Sequence, residues 1–271
     1  MIMVLRNTIV IISFFAKELM MKIAIRNNRL AAGDEITFVG HSLLYIATGS
    51  DGCNLTISSR AQESVKFIGE NQQGMLVLKP CTLTIESGLL YYSSVKFPFL
   101  VKLQVFIDRA RNHKKSYDEF SSYGYLPAEL GARPSMRKVE YWFLNQIFMN
   151  TDGVSQFSSI LQHNEWYNLV EFLLDESCGN NTQHLRLMCE RYGLSASHFR
   201  RLARTALGKT AKVELRDWRL VRALFDMLEG NHNLTTIAMN HGYSSLSHFS
   251  NEVKEAFGVS PRNLKKVLHV S

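Results

Sequence analysis

A chain of 271 residues, 46% hydrophobic and 20% charged, has room for two domains of ordinary size, each with its own core. That balance belongs to a folded, soluble protein, and no run of 18 apolar residues marks a membrane helix. The formal charge of +7 is unevenly spread: residues 184–271 hold 14 Lys and Arg against 7 Asp and Glu, whereas residues 1–183 hold 17 of each. A basic segment joined to a neutral one is the pattern of a polyanion-binding module attached to a sensing or interaction module.

At the start, Arg6 followed by the apolar run TIVIISFFA over 8–16 has the outline of a short secretory signal. A buried first strand, or a translation start at Met20 or Met21, accounts for the same residues, and no small-x-small cleavage site precedes Lys17 and Glu18. Cys53, Cys81, Cys178 and Cys189 form no Cys-x-x-Cys pair and have no His at zinc-finger spacing. The expectation is therefore reduced thiols in a cytoplasmic protein, with no metal and no cofactor.

From about residue 29 to 98 short apolar runs such as EITFVG, SLLYIATG, NLTIS, GMLVLK and CTLTIES alternate with turn residues. Gly-Ser-Asp-Gly at 49–52 and Asn-Gln-Gln-Gly at 71–74 read as turns, and the segment as a small β sandwich or barrel. At Phe99 the period lengthens: Leu100, Leu103, Phe106, Ile107 and Ala110 share one helical face, closing a first domain over 1–111. The polar stretch 112–136, with Gly124, Pro127, Gly131 and Pro134, reads as a linker. An apolar helix over 137–149 opens a helical connector over 137–163. The last domain, 164–271, is expected to be all helical, with helices over 165–176, 184–192, 196–207, 211–228, 235–241, 245–257 and 261–268 and glycines where they stop.

Within that domain one pattern occurs twice. Ser197-His198-Phe199 matches Ser247-His248-Phe249, and Ala206, Gly208 and Thr210 match Ala256, Gly258 and Ser260, at the same offset; Gly193 matches Gly242 one residue out of step. Each copy reads as a helix, a Gly turn and a second helix, with Ser195 or Ser244 placed to cap the second. Phe199 with Leu202, and Phe249 with Val253, are expected to pack inward, leaving Ser197, Arg200, Arg201 and Arg204 outward. Arginine suits that face because its planar fork can bind guanine O6 and N7 in a major groove. Arg200 and Arg201 are therefore candidate base readers, and Arg204 and Lys209 candidate backbone grips. His198 and His248 are read as supporting the turn or touching phosphate. Residues 212–228, with Leu215, Trp218, Leu220, Ala223, Leu224 and Met227 along one side, form a rigid connector. It would hold two readers about 34 Å apart on successive major grooves.

This arrangement resembles the AraC/XylS family of bacterial transcription regulators, through the GLS turn at 193–195, LRDWRLVRAL at 215–224 and IAMNHGYSSLSHFSNEVKEAFGVSPRNLKK at 237–266. The shorter strings YWFLNQI, SHFRRL, ELRDWRL and NHGYSSLSHFS resemble its InvF-like branch, the activators of type III secretion genes. The resemblance implies an α+β chain: a small cupin-like β domain followed by an all-α double helix-turn-helix DNA-binding domain. It implies Ser197, Arg200 and Arg201 as base-facing in the first recognition helix, beside Arg204. In the second it implies Leu246, Ser247, His248 and Asn251, with Lys254 on the backbone; Asn251 and Leu264-Lys265 depart from the usual pattern there. The implied partners are double-stranded promoter DNA, RNA polymerase and a type III secretion chaperone as coactivator, with no membrane and with a homodimer left open. The implied protein is a transcription activator rather than an enzyme. Three alternatives stay open at this level: a family member sensing a small ligand through its N-terminal domain, an alkyl-transfer enzyme targeted to DNA, and an anti-regulator that binds only protein.

Overall fold

The computed structural model describes residues 28–112, 121–131, 134–178, 185–230 and 232–269. The signal-like run and the alternative starts at Met20 and Met21 lie outside the described residues. The chain divides into two compact units between Tyr167 and Asn168.

In the first unit the β-branched and aromatic runs become β1 (Asn28–Ala31), β2 (Glu35–Phe38), β3 (Ser42–Ser58), β4 (Glu63–Ile68), β5 (Gln73–Leu78), β6 (Cys81–Val95) and β7 (Tyr123–Pro127). They form one antiparallel sheet in the order β1-β6-β3-β5-β7, with β2 on β6 and β4 on β3. Leu44, Ile46, Leu55, Ile57, Leu76, Leu83 and Ile85 fill its core. The stretch 49–52, expected to be a turn, is instead the middle of β3. β6 runs beside both halves of that strand, so a register shift between Thr48 and Cys53 absorbs the irregularity and the ladder resumes. The bulge needs glycine opposite it: Gly88 has φ 85, and a Cβ there would stand 2.1 Å from the Gly52 carbonyl oxygen.

The expected linker over 112–136 is also corrected, because β7 lies within it and pairs with β5. Its alternation buries Gly124 and Leu126 and leaves Tyr123 and Tyr125 half-buried. α1 (Phe97–Arg111), α2 (Met136–Met149) and α3 (Val154–Gln162) complete the unit. α3 lies so close to β7 that a Cβ at Gly124 would come within 2.7 Å of the Phe157 Cα. The apolar face of α2 finds its docking surface here: Trp142 packs edge-on to Phe157 and donates its indole N–H to the Pro127 carbonyl at 2.9 Å. Buried Asp108 of α1 accepts hydrogen bonds from Gln104, Gln162 and Tyr167, each at 2.9 Å, joining α1 to α3 and to the start of α4 (Glu165–Cys178).

The second unit is helical, as its sequence period requires. After α4 come α5 (Leu185–Tyr192), α6 (Ala196–Leu207), α7 (Ala211–Glu229), α8 (Leu234–Asn240), α9 (Leu246–Phe257) and α10 (Pro261–His269). Gly193 and Gly242, at φ 80 and 73, turn the chain between α5 and α6 and between α8 and α9. Phe199 of α6 packs edge-on to Tyr192, which in turn meets Phe172 of α4. In the second pair Ile237, Ala238, Tyr243, Phe249 and Val253 close over Leu220, Ala223 and Met227 of α7. The chain thus has the expected class and order, an antiparallel β unit followed by a helical one.

Ionic contacts fix α7 to the second unit's other parts. Lys209, just before it, lies 2.5 Å from Asp217 Oδ2 and 3.3 Å from Glu214 Oε2. Burial alone would lower the Lys209 pKa, but the two carboxylates outweigh it and hold it above the usual range. Arg219 reaches Glu252 of α9 at 3.1 Å, and its guanidinium lies over the Tyr243 ring, 4.4 Å from the centroid. Burial, then the nearby Glu252 carboxylate, pushes the Tyr243 hydroxyl well above its ordinary pKa. Asp226 and His241 add a hydrogen-bonded contact at 3.3 Å, with burial lowering the histidine's pKa and so favouring its neutral form.

Two substitutions check these supports in urea unfolding followed by far-ultraviolet circular dichroism. Gly88→Ala should cost at least about 2 kcal/mol, since alanine resists positive φ and its methyl meets backbone. Glu252→Ala should cost about 2–3 kcal/mol by leaving Arg219 without its carboxylate, whereas exposed Glu255→Ala should stay within about 0.5 kcal/mol.

Candidate nucleic-acid interface

Each recognition helix is fixed at both ends. Ser195 caps α6, its hydroxyl accepting from the His198 N–H, and Gly208 closes the helix with φ 77. In the second copy the cap is Ser245 rather than the expected Ser244, because the extra turn residue displaces the helix start by one. Ser244 instead places its hydroxyl 3.2 Å from His248 Nδ1. Both helices then run for 12 residues to a left-handed glycine.

On α6, Phe199, Leu202, Ala203, Ala206 and Leu207 are buried, and Ser197, Arg200, Arg201 and Arg204 are exposed. The exposed four stand at i, i+3, i+4 and i+7, so they form one stripe along the helix. No acidic residue occurs between Glu190 and Glu214. Among the described residues none of the three arginines enters an ion pair. Such a face offers three planar guanidiniums and a hydroxyl, all donors, to a partner rich in acceptors.

The residues expected on the second helix also gather on one exposed surface: Leu246, Ser247, His248, Asn251 and Lys254 of α9. Its charge differs from that of α6. Lys254 is followed by exposed Glu255, and the other outward positions are the apolar Leu246 and the polar Ser247, His248 and Asn251. His248 is half-held by its surroundings, with its ring edge-on to Tyr243 and the Ser244 hydroxyl beside Nδ1, which fits a turn-supporting residue.

Lys209 does not belong to this surface. It is engaged by Glu214 and Asp217, so the expectation of a phosphate grip is replaced by that of an anchor for α7. Arg219, Tyr243 and Glu252 position α9 and were not singled out as such by the sequence. A signal existed: aligning the two copies puts Glu252 opposite buried Leu202, and a carboxylate at an inward position needs a buried partner.

Among the described residues no group of three or more His, Cys, Asp and Glu could hold a metal, and no helix is long and apolar enough to cross a membrane. An alkyl-accepting thiol must ionise readily. Burial instead pushes the Cys53 and Cys81 thiols up to about 11 and raises that of Cys189 as well. Cys189 is a small core residue, as expected.

Residues 188–266 match a family described as a helix-turn-helix domain. The chain is 41% identical over 202 residues to the invasion protein InvF of Salmonella typhi, covering 74% of this chain and 93% of that one. It is 40% identical over 124 residues to the transcriptional regulator MxiE of Shigella flexneri, covering 46% of this chain and 59% of the relative. A solved structure of ToxT from Vibrio cholerae aligns over 92% of this chain and 98% of that one, with 14% identity and a TM-score of 0.36. Two helix-turn-helix units around a central helix, with 41% identity along nearly the whole of InvF, establish that the chain belongs to the AraC/XylS family of DNA-binding transcription regulators.

Proposed function

We propose that this regulator activates type III secretion genes, reading promoter bases mainly through α6 and acting with a protein coactivator. The observation that carries the reading is the exposed stripe Ser197, Arg200, Arg201 and Arg204, three cations without a neighbouring carboxylate on a helix capped at both ends. A helix so placed can present guanidiniums to guanine edges, with Arg204, one turn further on, reaching phosphate. α9 offsets its one outward Lys with the adjacent Glu255. It seats the domain on the duplex through Ser247, His248, Asn251 and Lys254, with Leu246 against a base methyl. The rigid α7 sets the separation of the two units at one turn of DNA, about 34 Å.

The assignment to secretion genes rests on the likeness to InvF, whose name is that of an invasion protein, and to the regulator MxiE. By the same analogy the β unit receives a secretion chaperone as coactivator, and the complex recruits RNA polymerase in the cytoplasm. The test is chromatin immunoprecipitation of the tagged protein with sequencing, in strains with and without the candidate chaperone. Enrichment at secretion-gene promoters that depends on the chaperone is expected. Equal occupancy of promoters and random DNA in both strains overturns the reading.

In binding assays with a recovered site, Arg200→Ala should weaken binding about ten- to hundredfold and relax preference at one base pair. Lys254→Ala should weaken all sequences alike and flatten the salt dependence by about one phosphate equivalent.

A further inference from the structure

In the first unit α2 leaves three large apolar side chains outward: Tyr141, Phe148 and Met149 are 67%, 42% and 69% exposed. They stand at i, i+7 and i+8, so they share one face of the helix with exposed Lys138 and Asn145. The opposite face, with Val139, Phe143 and Ile147, is buried in the unit. Single exposed apolar residues are ordinary on a folded protein. Three on one helix face within about two turns mark a surface that another protein covers.

The charges around these residues have one sign. Arg137 and Lys138 are exposed at the start of the same face. Arg111 of α1 lies over the Phe148 ring, 5.3 Å from its centroid, and donates to the Ile147 carbonyl at 3.3 Å, which fixes its charge against the apolar residues. The one carboxylate of α2, Glu140, is buried. Burial pushes it up to about 7 against the pull of Arg137 and Lys102. The exposed face of α2 therefore has two cations, a third beside it and no anion. Aromatic, Met and Arg side chains of this kind are those that the centres of protein interfaces favour.

The charges also select the occupant. A second copy of the chain docking through the same face would bring Arg137 and Lys138 against Arg111 if the two helices ran antiparallel, and against their own counterparts if parallel. Like charges meet either way, whereas an acidic surface is attracted in both orientations. We infer that this face of α2 receives the coactivator, an acidic protein whose apolar groove takes Tyr141, Phe148 and Met149 as anchors and whose rim carboxylates meet Arg111, Arg137 and Lys138. The inference rests on the coactivator reading above and adds to it the place and the chemistry of the contact.

The test uses the full chain and the purified candidate chaperone, with affinity measured by isothermal titration calorimetry at low and at physiological salt. Y141S/F148S/M149S should weaken chaperone binding about a hundredfold. R137E/K138E should weaken it about tenfold at low salt and less at higher salt. Both variants should keep the far-ultraviolet circular dichroism of the unaltered chain and its affinity for a duplex recovered by in-vitro selection. V65S/F67S, which removes exposed apolar side chains from β4 instead, should bind the chaperone normally. Unchanged chaperone affinity in the α2 triple variant, or an equal loss in V65S/F67S, overturns the placement and leaves the coactivator reading standing. If the triple variant does not fold, R137E/K138E decides, and its unchanged affinity at low salt overturns the placement. Lost self-association in sedimentation with chaperone binding unchanged also overturns it, and assigns the face to a second copy. An unaltered chain that binds the duplex but never the chaperone overturns the coactivator reading and the placement with it.

Discussion

The arrangement of the helical unit depends on buried charges being neutralised along one helix. α7 carries Glu214, Asp217, Arg219 and Asp226 on or beside its apolar side, positions where an unpaired charge would be costly. Each meets an opposite charge or a histidine supplied by the helix-turn-helix units: Lys209 before α7, Glu252 on α9 and His241 after α8. Hydrophobic packing tolerates sliding, but ion pairs with hydrogen-bond geometry do not, so these contacts fix register as well as position. The Arg219 guanidinium adds a second constraint by lying on the Tyr243 ring at the turn itself. A recognition helix that must keep its angle in a groove gains from such fixing more than it would from additional apolar area.

The two units use this support unequally. α6 is basic along its exposed stripe and wholly apolar along its buried one. α9 turns a carboxylate inward, which both secures the helix and removes a negative charge from the outer surface. What α9 lacks in positive charge is found on α10, beyond the turn that follows it.

Much of this was legible in the residues themselves. The helical period, the glycines at helix ends and the doubled Ser-His-Phe gave the helices of the second unit nearly to the residue, because caps and stops are local features. The outward stripe of α6 followed from the same spacing. The failures were non-local. The stretch 49–52 has turn residues, yet β6 pairs across it and makes it a bulge. Residues 123–127 have glycine and proline, yet β5 offers them an edge and α3 a cover. Lys209 looked like a surface cation because its partners lie one and two turns further along α7. Only a comparison of the copies, Leu202 against Glu252, marks the second helix as fastened through charge.

That last difference also limits how the two recognition helices can be exchanged. Both run for 12 residues between a serine cap and a left-handed glycine, so they are equal in length and in how they are fastened at their ends. Their outer residues could diversify without disturbing either core, which is how a family acquires new target sequences on one scaffold. The helices are nevertheless not equivalent modules. A copy of α6 in the place of α9 would set Leu202 against Arg219 and strand its charge, and a copy of α9 in the place of α6 would bring Glu252 to the buried position that Leu202 holds. The two units share one design, and a single inward carboxylate ties α9 to its own seat.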